Sequence, residues 1–173
     1  MRRRPLLCGI MGVLGAPSLA LAIDDSRPGR NASIDLLRCV KRERKLYALA
    51  DGEVVMTFNV ALGVSPRGHK EREGDGRTPE GKYYIDAARH DSDYHLALKI
   101  SYPNTEDRAR ARAQGVRPGG QIMIHGLDPA IGAKWQERHW VFNWTNGCIA
   151  VTNDEMEQLW NSVALGTPIE ILA

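Results

Sequence analysis

The dipeptide Asp51-Gly52 stands between two short runs, Lys45–Ala50 and Glu53–Ala61, that are rich in Val, Leu, Tyr and Phe. An Asp-Gly pair between such runs is a strong hairpin signal, because both residues tolerate the positive φ of a two-residue turn. The pattern predicts further strands at Ile34–Val40, Tyr83–Ala88, Leu96–Ser101, Ile122–Ile124, Cys148–Val151 and Ile169–Ile171. Helices are expected at Asn104–Gln114 and Asp154–Val163, with a helical turn within Asp128–Glu137. In the second helix Met156, Leu159, Trp160 and Val163 fall at i, i+3, i+4 and i+7, and Asn153 is the expected N-cap. The expected fold is therefore mainly β with two or three short helices, in one domain over 33–172.

Between the strands, Gly63–Gly81 carries five glycines and two prolines with almost no apolar residue. Loops of this length in a compact domain usually serve function. Residues 1–22 read as a signal peptide: Arg2, Arg3 and Arg4, an apolar run from Leu6 to Leu14, then Ala20-Leu21-Ala22. That run is too short to span a bilayer about 30 Å thick. Export to the periplasm or another envelope compartment is expected, with no membrane span after cleavage. Removal of the leader arginines makes the net charge of +2 slightly negative. Such a balance gives no electrostatic case for a nucleic-acid partner.

Three tempting motifs fail on their chemistry. Gly76–Lys82 has the spacing of a phosphate-binding loop, but Tyr83 follows where a hydroxyl ligand for Mg²⁺ is needed, and Pro79 lacks an N–H. His90 and His95 are five residues apart and fit no common zinc spacing, so no metal is assigned. Arg108, Arg110 and Arg112 read as a solvated helix face.

Cys8 leaves with the leader, so Cys39 and Cys148 remain. Two cysteines in an exported chain invite a disulfide, yet their contexts differ. Cys39 lies in a strand and reads as a small buried hydrophobe. Cys148 lies on a polar turn, Trp144-Thr145-Asn146-Gly147-Cys148, entering an apolar strand. His125, at a strand end before Gly126, is the candidate base. An imidazole that takes a thiol proton creates an acyl-transfer nucleophile. Gly147 permits a turn that a side chain would obstruct. The N–H groups of Gly147 and Cys148 are candidate oxyanion donors. On the residues alone, a core histidine and a buried cysteine remain an equal reading.

Ile124-His125-Gly126 and Thr145-Asn146-Gly147-Cys148-Ile149, together with Thr78-Pro79-Glu80-Gly81-Lys82-Tyr83 and Ala61-Leu62-Gly63, resemble the L,D-transpeptidase catalytic (YkuD) domain. The resemblance implies a β-sandwich-like fold and chemistry on peptidoglycan stem peptides, with no cofactor. By position it makes Cys148 the nucleophile and His125 the base. It places Thr145 beside the site. Asn146 stands where the family has a second His, and Ala150 where it usually has Arg or Asn. Relatives with a divergent motif of this kind include hydrolases that cut a diaminopimelate-linked amide, so a wall-attached lipoprotein enters as a possible partner. Trp140, Trp144 and His139 are expected to wall a substrate groove, with Tyr83 and the Gly63–Gly81 loop at its rim or lid. A non-catalytic wall-peptide-binding domain is the reading from another class.

Overall fold

The computed structural model describes residues 33–131 and 136–173. The expected signal peptide and part of the expected turn at Asp128–Glu137 lie outside them. The strands are β1 (Leu36–Val40), β2 (Lys45–Ala50), β3 (Glu53–Asn59), β4 (Gly81–Ser92), β5 (His95–Ile100), β6 (Met123–His125), β7 (Ile149–Ala150) and β8 (Pro168–Leu172). Two helices, α1 (Thr105–Ala113) and α2 (Asn153–Ser162), and two short 3-10 turns, Lys41–Glu43 and His139–Val141, complete the described elements.

The Asp51-Gly52 turn has φ of 51° and 81° and sets Ala50 opposite Glu53. This is the left-handed pair that joins two strands tightly. From this hairpin the sheet runs in the order β3-β2-β1-β8-β4-β5-β6-β7. The resemblance implied two layers; here they are two halves of one sheet that share a strand. The start of β4, Gly81–Tyr84, pairs with β8, and the remainder pairs with β5. The register shifts between Ile85 and Ala87, and such an irregularity bends and twists a strand. Past β3 the chain bridges from Ala61 to Ala150 on β7, linking the far ends of the two halves.

Alternation along the strands sends Leu37, Leu46, Phe58, Ile85, Leu98, Ile124 and Ile149 into one core. Helix α2 covers it with Met156, Leu159 and Trp160, all buried. Its N-cap is Thr152 rather than Asn153, with a reciprocal Thr152–Glu155 capping box. Asn153 is used otherwise: its Oδ1 accepts the Leu127 N–H at 2.8 Å. Helix α1 is polar, and its buried Asp107 ties neighbouring segments together. That carboxylate accepts from the Tyr83 hydroxyl at 3.0 Å, contacts His69 Nε2 at 3.2 Å and pairs with Arg110. Among the described residues no helix is long and apolar enough to cross a membrane.

Candidate active site

Strands β6 and β7 are parallel, with Ile124 beside Ile149 and His125 beside Ala150. Parallel pairing puts equivalent ends of two strands together. It thereby sets the turn that precedes Ile149 level with Met123 at the start of β6, two residues back from His125 on the neighbouring strand. His125 and Cys148 line the same cavity, of about 250 Å³. Its rim comes from the β4–β5 hairpin, through Arg89, Asp91, Asp93 and Tyr94, and from Gln121.

The cysteine turn is held from inside. Thr145 Oγ1 donates to the Cys148 carbonyl at 2.8 Å and accepts the Gly147 N–H at 3.2 Å. The Gly147 N–H, expected as an oxyanion donor, is thus engaged within the turn. Gly147 has φ of 125°, and a Cβ there would lie 2.6 Å from the Arg77 carbonyl oxygen. No other residue fits that backbone approach without displacing the loop. Asn146 is exposed at the tip.

His125 is buried, and its Nδ1 lies 2.7 Å from the Gly126 carbonyl. A carbonyl only accepts, so Nδ1 carries the proton and Nε2 is left as the acceptor. Burial lowers the His125 pKa from 6.5, while the Gly126 carbonyl opposes the shift. Burial also raises the Cys148 thiol from 9.0, with the Met123 backbone and the Lys70 charge opposing. At neutral pH both groups are therefore uncharged at rest, rather than a preformed thiolate–imidazolium pair. The thiol lies 3.5 Å from the Gln121 carbonyl, its acceptor. Tyr94 lies over the imidazole, with ring centroids 4.6 Å apart, and Trp144 meets it edge-on at 5.7 Å. Tyr94 and Gln121 belong to no motif; their only sequence signal is a place in polar stretches bordering strands.

The other sequence-predicted residues divide. His139 is buried with neither ring nitrogen hydrogen-bonded, and Trp144 Nε1 is likewise unpartnered. Burial, reinforced by the charge of His125, lowers the His139 pKa to about 4. Trp140 lies in a 3-10 turn whose carbonyls at 140 and 141 are held by Arg44. None of Trp140, Trp144, His139, Thr145, Asn146 and Tyr83 is among the residues lining the cavity, although Trp144 packs against His125. Tyr83 is a correction to the expected groove rim: its ring is buried against Tyr102, and its hydroxyl serves Asp107. Cys39 is wholly buried in β1, and burial pushes its thiol up to about 12 despite Lys41. Both Cys39 and Cys148 are free thiols.

The Gly63–Gly81 loop does adjoin the cysteine turn, as a brace instead of a lid. Gly63 bridges to Thr145, and the Val64 N–H donates to the Thr145 carbonyl at 3.0 Å. Lys70 and Asp75, both buried, pair at 2.8 Å inside the loop. Asp75 also accepts the backbone N–H groups of Glu71, Arg72 and Arg77. Against the upward push of burial, these donors hold its carboxyl at about 2. No group of three His, Cys, Asp or Glu side chains placed to hold a metal occurs among the described residues.

A cavity shared by one half-buried thiol and one buried imidazole, carried on two adjacent parallel strands, defines a candidate thiol-nucleophile site. The family is established by sequence: residues 35–171 match the L,D-transpeptidase catalytic domain YkuD, and the chain belongs to that family. YafK of Escherichia coli (strain K12) is 29% identical over 119 residues, covering 68% of this chain and 38% of YafK. The helical cell shape determining protein Pgp2 of Campylobacter jejuni superposes with a TM-score of 0.59 at 23% identity. That match covers 84% of this chain and 50% of Pgp2. An L,D-transpeptidase from Xylanimonas cellulosilytica gives 0.53 at 20% identity, covering 83% and 63%. The chain thus spans well under half of YafK and about half of Pgp2.

Proposed function

We propose that this chain is an exported cysteine acyl-transfer enzyme of the cell envelope, acting on peptidoglycan stem peptides. The observation that carries the reading is the shared cavity of Cys148 and His125, with an Nδ1-protonated imidazole. In the reaction His125 Nε2 takes the proton from Cys148 Sγ as the sulfur bonds to the carbonyl carbon of an L-centre, such as that of diaminopimelate. The C–N bond to D-Ala then breaks, and the imidazolium returns its proton to the leaving amine. A thioester on Cys148 remains. An amine of a second stem peptide, or water, attacks it; His125 accepts the incoming proton and passes it to the departing sulfur. With the Gly147 N–H occupied, the Cys148 N–H is the donor assigned to the oxyanion. Thr145 shapes the turn, Asn146 is exposed at its tip as a substrate contact, and Trp144 steadies the His125 ring edge-on.

A second reading, hydrolysis of a diaminopimelate-linked amide such as a lipoprotein–peptidoglycan link, is favoured by one observation. Ala150, where the family usually places Arg or Asn, is buried and uncharged, which removes one means of holding an anionic acceptor. Water needs no such holder. Incubation with tetrapeptide muropeptides and a labelled D-amino acid separates the two. Label in the product supports transfer; hydrolysed product alone, or reaction only with lipoprotein-linked muropeptides, supports hydrolysis. No covalent species on Cys148 with any of these substrates would leave the wall-peptide-binding reading.

A further inference from the structure

We propose that Arg89 is a specificity residue that grips a carboxylate on the substrate residue bearing the scissile bond, while Asp91 and Asp93 accept an ammonium on that same residue. The inference deepens the acyl-transfer reading and rests on it. The cavity around Cys148, at about 250 Å³, falls below the roughly 300–1,000 Å³ of pockets for drug-sized ligands. It takes a single residue rather than a length of peptide. Among the described residues lining it, Arg89 is the one permanent cation, because burial keeps His125 neutral.

The strand explains how the charges come together. Arg89 and Asp91 are two apart near the end of β4, and both line the cavity. The β4–β5 register shifts between Arg89 and Ser92, an irregularity of the kind that re-aims side chains at a strand end. Arg89 Nε and Asp91 Oδ1 are 3.7 Å apart, with side chains 51% and 68% exposed. By contrast, the Lys99–Asp86 pair, near the other end of the same hairpin, closes to 2.7 Å and is mostly covered. The loose pair leaves most of a five-donor guanidinium fork unused, a geometry suited to a carboxylate. The family's usual charged position cannot supply this contact here: Ala150 is fully buried and hydrogen-bonded through its backbone to Ala61. A cation beside two carboxylates at the mouth of one small cavity complements an amino-acid head-group, with ammonium and carboxylate on one carbon.

The test compares stem peptides whose side-chain head-group carries a free carboxylate with the same peptides amidated there. Wild-type protein should prefer the free acid by about tenfold, the worth of one charge-assisted contact. R89A should lose that preference through KM, and R89K should recover part of it. A second measurement needs no turnover: the rate of Cys148 alkylation by iodoacetate relative to iodoacetamide, with buried Cys39 as the silent control. R89E should lower that ratio severalfold. Equal losses for R89A on both peptides, or an unchanged alkylation ratio in R89E, overturn the assignment of Arg89 while leaving acyl transfer standing. If wild-type protein is acylated by neither peptide, the acyl-transfer reading falls and this inference with it.

Discussion

The Gly63–Gly81 loop and the β4–β5 hairpin both border the Cys148 turn, and both are rich in charge. In the loop, Lys70, Asp75 and Thr78 are buried or nearly so, and each spends its polar atoms on the protein itself. In the hairpin, Arg89, Asp91 and Asp93 are exposed, and Arg89 and Asp91 pair only loosely. The same residue types therefore do different work. A buried pair whose donors and acceptors are met fixes backbone position, because breaking it leaves an uncompensated charge. An exposed charge contributes little to stability and remains available to a ligand. The loop sets where the Cys148 turn stands; the hairpin, on our proposal, selects what reaches it.

Substitutions on the two sides should separate accordingly. The largest effect belongs to the thiol both regions border: Cys148→Ala should abolish acyl-enzyme formation, read by intact-protein mass spectrometry after a carbapenem. On the loop side, Asp75→Ala should cost about 3 kcal/mol or more in denaturant unfolding by stranding Lys70. Gly147→Ala should also lower the unfolding midpoint, since its Cβ meets the Arg77 carbonyl. On the hairpin side, Asp93→Asn should leave the unfolding midpoint within about 0.5 kcal/mol of wild type. A hairpin substitution as destabilising as Asp75→Ala would break the comparison.

Two pH effects sharpen it. Because Cys148 is raised from 9.0 and His125 lowered from 6.5, alkylation by iodoacetamide should keep rising beyond pH 9. A preformed ion pair would instead reach a plateau near neutrality. His139, with an unfolded value of 6.5 and a folded value of about 4, favours the fold in its neutral form. Its contribution is complete above pH 6.5 and is lost as pH falls toward 4, so unfolding midpoints should drop across that window. His139→Phe should flatten the drop. The smallest effect is expected from Cys39→Ser, distant from the cavity: a modest loss of stability with activity retained.

The strands were legible because their signals are local. The Asp51-Gly52 turn, the alternation of Leu37, Cys39 and Leu46, and the α2 stripe each depend on a few neighbouring residues. The family motifs likewise marked His125 and Cys148, which line one cavity. Tyr94 and Gln121 were not legible, since only the parallel β6–β7 pairing and the β4–β5 hairpin bring them to the thiol. Tyr83 misled for the converse reason: its motif neighbours Thr78 and Gly81 belong to the loop that braces the cysteine turn. The partner that claims its hydroxyl, Asp107, lies on a helix that sequence spacing did not connect to it.

The parallel register of β6 and β7 also separates what must stay fixed from what is free to vary. The β6–β7 register sets His125 beside Ala150 through pairing between the two strands, and within the chain that joins them Pro129 and Ala130 are exposed. That connection is therefore a natural graft point. Residues added at Pro129–Ala130 would alter the surroundings of the cavity while leaving the strand register and the Thr145 and Trp144 contacts in place, a route by which one scaffold takes on different substrates.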